Sequence, residues 1–372
     1  MENNKEHKIL NAPALRFPEF EGEWETVTLG DVATVIKERI SSSNLTVNDY
    51  VATENMKSHF GGVVEASSIP NNTNVIYFKK GDILISNIRP YLRKVWAATN
   101  DGGCSADVFV FRATKISVSF LYYIMANDSF IDYVMSGAKG VKMPRGDKEQ
   151  MLKYTFAIPA LKEQNKISRL ISLLDQRIST QIRAIEKLES LMKGLLGYLF
   201  KTVKSNAHTF LLGDICNITT GKLDANAMVK DGEYAFFTCA EKPYRIDKYA
   251  FDTEALLVSG NGNVGYINYY KGKFNAYQRT YVLSDFSHNI SYIKYYLKAH
   301  LHARIDQEKN IGNIPYIVLS TLADMKIMIP HANIVDKIVR LLDSVEGKIS
   351  RESNLLNHYI NQKQYLLQEM FI

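Results

Sequence analysis

The residues best placed to do chemistry lie in LLVSGNGNVGYINYYKG (256–272), where Gly260, Gly262 and Gly265 spell G-x-G-x-x-G. In a dinucleotide- or methyl-donor-binding enzyme such glycines follow a strand, approach a phosphate closely and open a helix whose N-terminus holds the anion. EALLVS supplies a credible strand before the loop, but YINYYKGKF after it is aromatic and strand-like, with a further turn and no helix start. The spacing therefore predicts a tight hairpin or a close backbone approach, not a cofactor cradle. Other chemistry is missing: there is no H-E-x-x-H, no G-x-x-x-x-G-K-[ST], no G-x-S-x-G and no Asn-Pro-Pro-aromatic tetrapeptide. His300 and His302 stand two apart, a spacing that does not share a helix face, and read as surface histidines. Asp324-Met325-Lys326 has Lys153 and Thr155 as its counterparts earlier in the chain, which speaks against a nuclease role.

Bulk properties narrow the class. With 46% hydrophobic and 23% charged residues over 372 positions, the chain is a folded protein with room for two domains and connectors. Its net charge of +6 and pI near 8.9 admit an acidic partner such as DNA. Cys104, Cys216 and Cys239 are too scattered for a disulfide framework or zinc knuckle, which fits a cytoplasmic location. MENNKEHKIL lacks a signal-peptide stretch, and no apolar run approaches the ~18 residues of a membrane span.

The elements that must position any site come from a duplication. TLGDVATV (28–35) recurs as LLGDICNI (211–218), and FAIPALKEQNKISRLISLLDQRIS (156–179) recurs as IMIPHANIVDKIVRLLDSVEGKIS (327–350). The second pair matches at an offset of 171, which also relates Pro144 to Pro315 and Phe200 to Phe371. Each copy reads as a globular unit followed by a long helix. In the first helix Ile171, Leu174, Ile178, Ile185, Leu188, Met192 and Leu195 recur at spacings of 3 and 4, a coiled-coil seam. Leu342, Val345, Ile349, Leu356, Tyr359 and Leu366 repeat it in the second. A polar residue interrupts each seam at the same place, Gln181 and its counterpart Glu352, as register-fixing residues do. Antiparallel packing of the two helices on each other is preferred over burial against their own domains.

The predicted architecture is α+β. It comprises a lead segment (1–19), two homologous domains (20–160 and 204–330) with short strands and one helical stretch each (119–135 and 290–305), and two antiparallel coiled-coil helices (161–203 and 331–372). Two domains alike at their edges but divergent inside suit reading two different things at a fixed separation, and DNA is such a ligand.

PALRFPEFEGEWETVTLGDVA (13–33), GDILISNIRPYLRKVW (81–96), the two IP segments and the closing GLLGYLF and YLLQEMF resemble the specificity (S) subunits of type I restriction–modification systems. The resemblance covers essentially the whole chain. It implies two target-recognition domains that each read half of a bipartite double-stranded DNA site, with helices that set the spacer and dock methyltransferase (M) subunits. It further implies a non-catalytic chain, S-adenosylmethionine bound by the M subunits, and ATP and Mg2+ used by restriction (R) subunits.

Aligning ILIS (83–86) with LLVS (256–259) places two loops in equivalent positions. The first, with Ser86 at its edge, offers Asn87, Arg89, Tyr91, Arg93 and Lys94; Arg and Asn suit guanine and adenine, Lys suits phosphate. The second offers Asn261 and Asn263, then Lys271 and Lys273, with Gln278 and Arg279 on the next segment. A third candidate, KGVKMPRGDK (139–148), contributes Lys139, Lys142 and Arg145. Two other readings stand beside this one: an S-adenosylmethionine- or nucleotide-binding enzyme using the 260–265 loop, and a coiled-coil scaffold without a DNA role.

Overall fold

The structure, a computed structural model, describes residues 11–203, 207–308 and 316–371; Pro315 and residues 1–10 of the lead segment lie outside them. The chain divides into two units, Met1–Thr180 with Leu356–Ile372, and Gln181–Leu355. In both, the duplicated motifs pair with each other. Glu25–Thr28, which leads into LGDV, runs antiparallel to Thr155–Ile158; Ala207–Leu211, which leads into LGDI, runs antiparallel to Lys326–Pro330. The start of each repeat is thereby stitched to the strand that enters its long helix.

The first unit carries two four-stranded sheets. One runs in the order Ala33–Val35, Val108–Ala113, Ile83–Ser86, Val95–Ala97; the other runs Arg39–Ser41, Asn74–Phe78, Gly102–Cys104, Tyr50–Val51. The second unit has one six-stranded sheet: Asn217–Thr220, Thr280–Ser284, Phe251–Ser259, Ile267–Ala276, Tyr234–Phe237, Tyr244–Ile246. The helical stretch expected at 119–135 is two helices, Val118–Met125 and Asp128–Ser136. Asn127 breaks it: its backbone is extended and its side-chain oxygen accepts the Ser129 N–H at 3.1 Å, capping the second helix. In the second unit the corresponding helix runs unbroken over Ile290–Glu308.

The long helices are Leu161–Thr202 and Ala332–Glu369, each about 60 Å long at 1.5 Å per residue. Their ends are buried in the globular cores. In the first unit Ile171, Leu174, Leu366 and Met370 join Phe120 and Phe371, whose rings stack at 5.0 Å. In the second, Leu342, Leu196 and Phe200 pack with Tyr292 and Tyr296. Along the middle, Ile178, Gln181, Ile185, Leu188, Met192 and Leu195 are half-buried while most of the residues between them face solvent; Val345, Ile349, Glu352, Leu356 and Tyr359 do the same. Within the first unit Lys363 pairs with Asp175 at 2.6 Å and Arg177 lies over Tyr359; within the second, Gln181 donates to the Glu352 carboxylate at 2.5 Å and its carbonyl at 3.0 Å. In the first unit sequence number rises along one helix, from Asp175 to Arg177, as it falls along the other, from Lys363 to Tyr359, so these segments run antiparallel.

The lead segment is fastened by a two-pronged ion pair between Arg16 and Glu163, both contacts 2.8 Å, with Glu163 buried, and by a Leu15 N–H to Glu369 carbonyl bond. A second ionic fastening recurs in both repeats. Asp175 on the first long helix accepts the Tyr123 hydroxyl at 3.0 Å; its duplicate, Glu346, accepts Tyr295 at 2.8 Å and both Lys294 and Lys298 at 2.6 Å. Burial pushes the Glu346 carboxyl up, but the charges and hydrogen bonds of Lys298 and Lys294 outweigh it and hold the group at about 2.

Glu346→Gln leaves the buried Lys294 with only the more distant Asp343 carboxylate, 3.9 Å away. We expect it to cost about 1–2 kcal/mol at neutral pH, a modest figure because the carboxylate is partly open to solvent. A group held below its ordinary 4.5 stabilises fully above that value and loses its contribution as pH falls toward about 2. Denaturant titrations of the two proteins should therefore differ at pH 7 and converge across that acid window.

Candidate nucleic-acid interface

Both units mount a variable loop on the same backbone frame, and three hydrogen bonds recur in it. Ser86 N–H donates to the Lys94 carbonyl (3.1 Å) as Ser259 N–H does to Tyr266 (2.9 Å). Asn87 N–H donates to Asp107 (2.8 Å) as Gly260 N–H does to Arg279 (2.8 Å). Gly146 N–H donates to Asn87 (2.8 Å) as Ile317 N–H does to Gly260 (2.9 Å). Position 87 thus corresponds to 260, 107 to 279, and 145 to 316.

In the first unit the frame brings together two segments far apart in sequence. Ile88 and Lys139 both bridge to Arg145, and Arg89 N–H donates to the Pro144 carbonyl at 2.8 Å. Arg89, Tyr91, Lys139, Lys142 and Arg145 are all exposed on this joint surface. Arg145 is steadied by Asp107 at 3.1 Å and Lys139 by Asp147 at 3.5 Å. Arg93 and Lys94 are half-buried: Arg93 pairs with Asp128 at 3.1 Å, and the Lys94 ammonium donates to the Thr53 carbonyl at 2.6 Å. Ser86 and Asn87, expected at the interface, are buried, because Ser86 ends the fully buried strand Ile83–Ser86 and Asn87 follows directly; Ser86 Oγ bonds Thr53 and the Ile88 carbonyl, and Asn87 Oδ1 has no protein partner.

The loop has an uncommon backbone. Arg89 and Arg93 take left-handed conformations (φ 51° and 56°) on either side of the 3-10 turn Pro90–Leu92. His59 and Phe60 behind it do the same (φ 55° and 60°), and their N–H groups bond the carbonyls of Leu92 and Arg93 at 2.9 and 2.8 Å. Each such residue costs about 1–2 kcal/mol relative to its right-handed form, so surrounding bonds hold this shape. Nothing local in the sequence marks Asp107, Thr53 or the 59–60 turn, whose roles come from contacts distant along the chain.

In the second unit the glycine-rich loop is a hairpin tip: Val258 faces Ile267 across the ladder, and a strand runs where a cofactor-binding loop would open a helix. Gly262 and Gly265 have φ of +63° and +81°, and a Cβ on Gly260 would meet the Arg279 carbonyl oxygen at 2.6 Å. These glycines serve backbone geometry. Asn261 and the Arg279 backbone meet at Cys239, whose thiol donates to Asn261 Oδ1 at 2.8 Å and lies 3.7 Å from the Arg279 carbonyl. Gln278 donates to Asp224 at 2.7 Å, and Asn263 and Arg279 are exposed. Beside them is an open cleft of about 410 Å³ with Met228, Cys239, Tyr244 and Tyr277 in its walls. Lys271 and Lys273 lie elsewhere, four and six residues down the strand from Ile267, near Glu254 (3.5 Å) and over the Tyr249 ring (4.8 Å). The Tyr269 hydroxyl bond holds the Glu254 carboxyl below its ordinary range. His300 packs against Phe200 and Tyr296, and among the described residues no His, Cys, Asp and Glu cluster could hold a metal. The side chains gathered in both loops are donors and cations suited to a polyanion.

The family model described as type I restriction modification DNA specificity domain matches the chain twice, at residues 21–190 and 204–358. The type I restriction enzyme EcoDI specificity subunit of Escherichia coli is 40% identical over 147 residues, 38% of this chain and 33% of that protein. The MjaVIII specificity subunit of Methanocaldococcus jannaschii is 24% identical over 213 residues, 54% of this chain and 46% of that protein. The chain therefore matches less than half the length of either relative. Among solved structures, the S subunit of a type I restriction–modification system from M. genitalium is similar with a TM-score of 0.67 at 17% identity, covering 97% of this chain and 99% of that one. At that identity the likeness is one of fold.

Gly260→Ala should force the hairpin away from the 277–279 turn and destabilise the protein by about 1–3 kcal/mol, as overpacking does. Denaturant unfolding checks this, and Asn263→Ala on the exposed tip should leave the midpoint within about 0.5 kcal/mol of wild type.

Proposed function

The chain belongs to the type I restriction–modification DNA specificity family, and on that footing we propose that its two domains, 20–160 and 204–330, each read one half of a bipartite double-stranded DNA site. The observation that carries this reading is the shared frame with unlike side chains: Asn87, Asp107 and Arg145 in one unit stand where Gly260, Arg279 and Tyr316 stand in the other. A frame built from backbone bonds leaves side chains free to differ, as two readers of different sequences require. The reading surface of the first unit comprises Arg89, Tyr91, Arg93, Lys139, Lys142 and Arg145; that of the second comprises Asn261, Asn263, Gln278 and Arg279. Arginines suit guanine edges, amides suit adenine, and lysines neutralise phosphates.

The chain itself performs no chemistry. The long helices set the distance between half-sites and dock methyltransferase subunits, which bind S-adenosylmethionine and methylate adenine. Restriction subunits using ATP and Mg2+ complete the complex, which acts in the cytoplasm. A scaffold without a DNA role gives no reason for divergence inside a conserved frame. A methyl-donor enzyme built on the 260–265 loop would need a helix where Ile267–Ala276 is a strand.

Two measurements test this proposal. In the assembled complex Lys142→Ala should weaken binding to all DNA sequences alike and reduce the slope of log affinity against log salt by about one. Adding one turn, about four residues or ~6 Å, to both helices should lengthen the tolerated spacer by about two base pairs with half-site sequences unchanged; altered half-sites would refute the helical ruler.

A further inference from the structure

The segment 139–145 closes on itself as a narrow ribbon, a short loop held by a single bridge pair between Lys139 and Arg145. Lys139 and Arg145 exchange both backbone hydrogen bonds, at 3.0 and 2.9 Å, and Gly140 takes φ of +95° to turn the chain. Its base is fixed: Pro144 is buried, Ile88 bridges to Arg145, and Asp107 holds the Arg145 guanidinium. Its tip is the reverse. Val141 is 103% exposed and buries nothing against its own chain, while Met143 beside it is 46% exposed. Lys139, Lys142 and Arg145 surround it, with exposed Arg89 on the adjoining loop.

An apolar tip inside a ring of cations is a poor match for an apolar protein surface, because contact would strip water from the lysines without pairing them. It matches a polyanion that offers one apolar feature. The major groove of DNA admits a two-stranded ribbon, and its base edges present donors, acceptors and a single apolar group, the 5-methyl of thymine. We propose that the 139–145 ribbon enters the major groove of the first unit's half-site and that Val141, backed by Met143, reads a thymine through its methyl group. This rests on the DNA-specificity reading above. The cations position the ribbon on phosphates, and the tip supplies the apolar contact to the methyl that the polar residues do not make.

The test uses the full chain assembled with its methyltransferase subunits and duplexes carrying the bipartite site returned by methylome sequencing. Each thymine of the first half-site, on either strand, is replaced in turn by deoxyuridine, which removes only the methyl. We expect about a fourfold loss of affinity at one position, the equivalent of one buried methyl, and no such loss in Val141→Gly, whose salt dependence stays that of wild type. Uniform tolerance of deoxyuridine would overturn the proposal. So would a half-site without thymine, or a uracil effect that survives in Val141→Gly. A Val141→Gly variant that binds DNA normally but releases the methyltransferase would place the tip at a protein interface instead. A wild-type complex with no sequence preference at all would sink the underlying DNA-specificity reading.

Discussion

A carboxylate at one duplicated position holds each globular unit to its long helix. Asp175 accepts the Tyr123 hydroxyl from Val118–Met125 and Glu346 the Tyr295 hydroxyl from Ile290–Glu308, and each is balanced by lysine. The helices need this anchoring. Through their middle they offer a half-buried stripe, joined at Gln181 and Glu352. Their ends bury aromatic and aliphatic residues, but apolar contact is non-directional. A buried hydroxyl that must find its acceptor supplies the direction. The cation comes from the other long helix in the first unit and from Ile290–Glu308 in the second.

Beyond the helices, the economy of each unit lies in bonding its loop through the backbone. Amide and carbonyl groups are the same whatever the side chain, so the frame at 86–87 and 259–260 survives a change from asparagine to glycine and from Asp107 to Arg279. Ser86 and Asn87 are withdrawn from the surface because they end the buried strand Ile83–Ser86, although their types and place in the chain mark them as DNA contacts.

Much of the architecture is legible in the sequence because duplication and helical period are strong, repeated signals. The offset of 171 relates Gln181 to Glu352, and the two meet in the second unit as a hydrogen-bonded pair. The strand-like YINYYKGKF marks the glycine loop as a hairpin, and its strand pairing bears this out. The break at Asn127 escapes a reading by hydrophobic period, since apolar residues continue on both sides and only the cap interrupts them. The joining of 87–94 to 139–145 escapes it too, as does the separation of Lys271 and Lys273 from the hairpin tip. The first depends on contacts between residues distant along the chain, which no local pattern encodes; the second follows from the unbroken strand Ile267–Ala276, which carries the lysines away from the tip.

The left-handed residues around the first unit's loop, His59, Phe60, Arg89 and Arg93, also govern how this protein can evolve. A β-branched side chain at any of them meets a steep conformational penalty, so those positions accept few replacements. Tyr91, Val141 and Lys142 carry no such constraint and are exposed. Mutational reach in the first unit is thus confined to a few tips on a rigid base. Single substitutions there can change the surface chemistry without unsettling the fold, a form of evolvability built from strain next door.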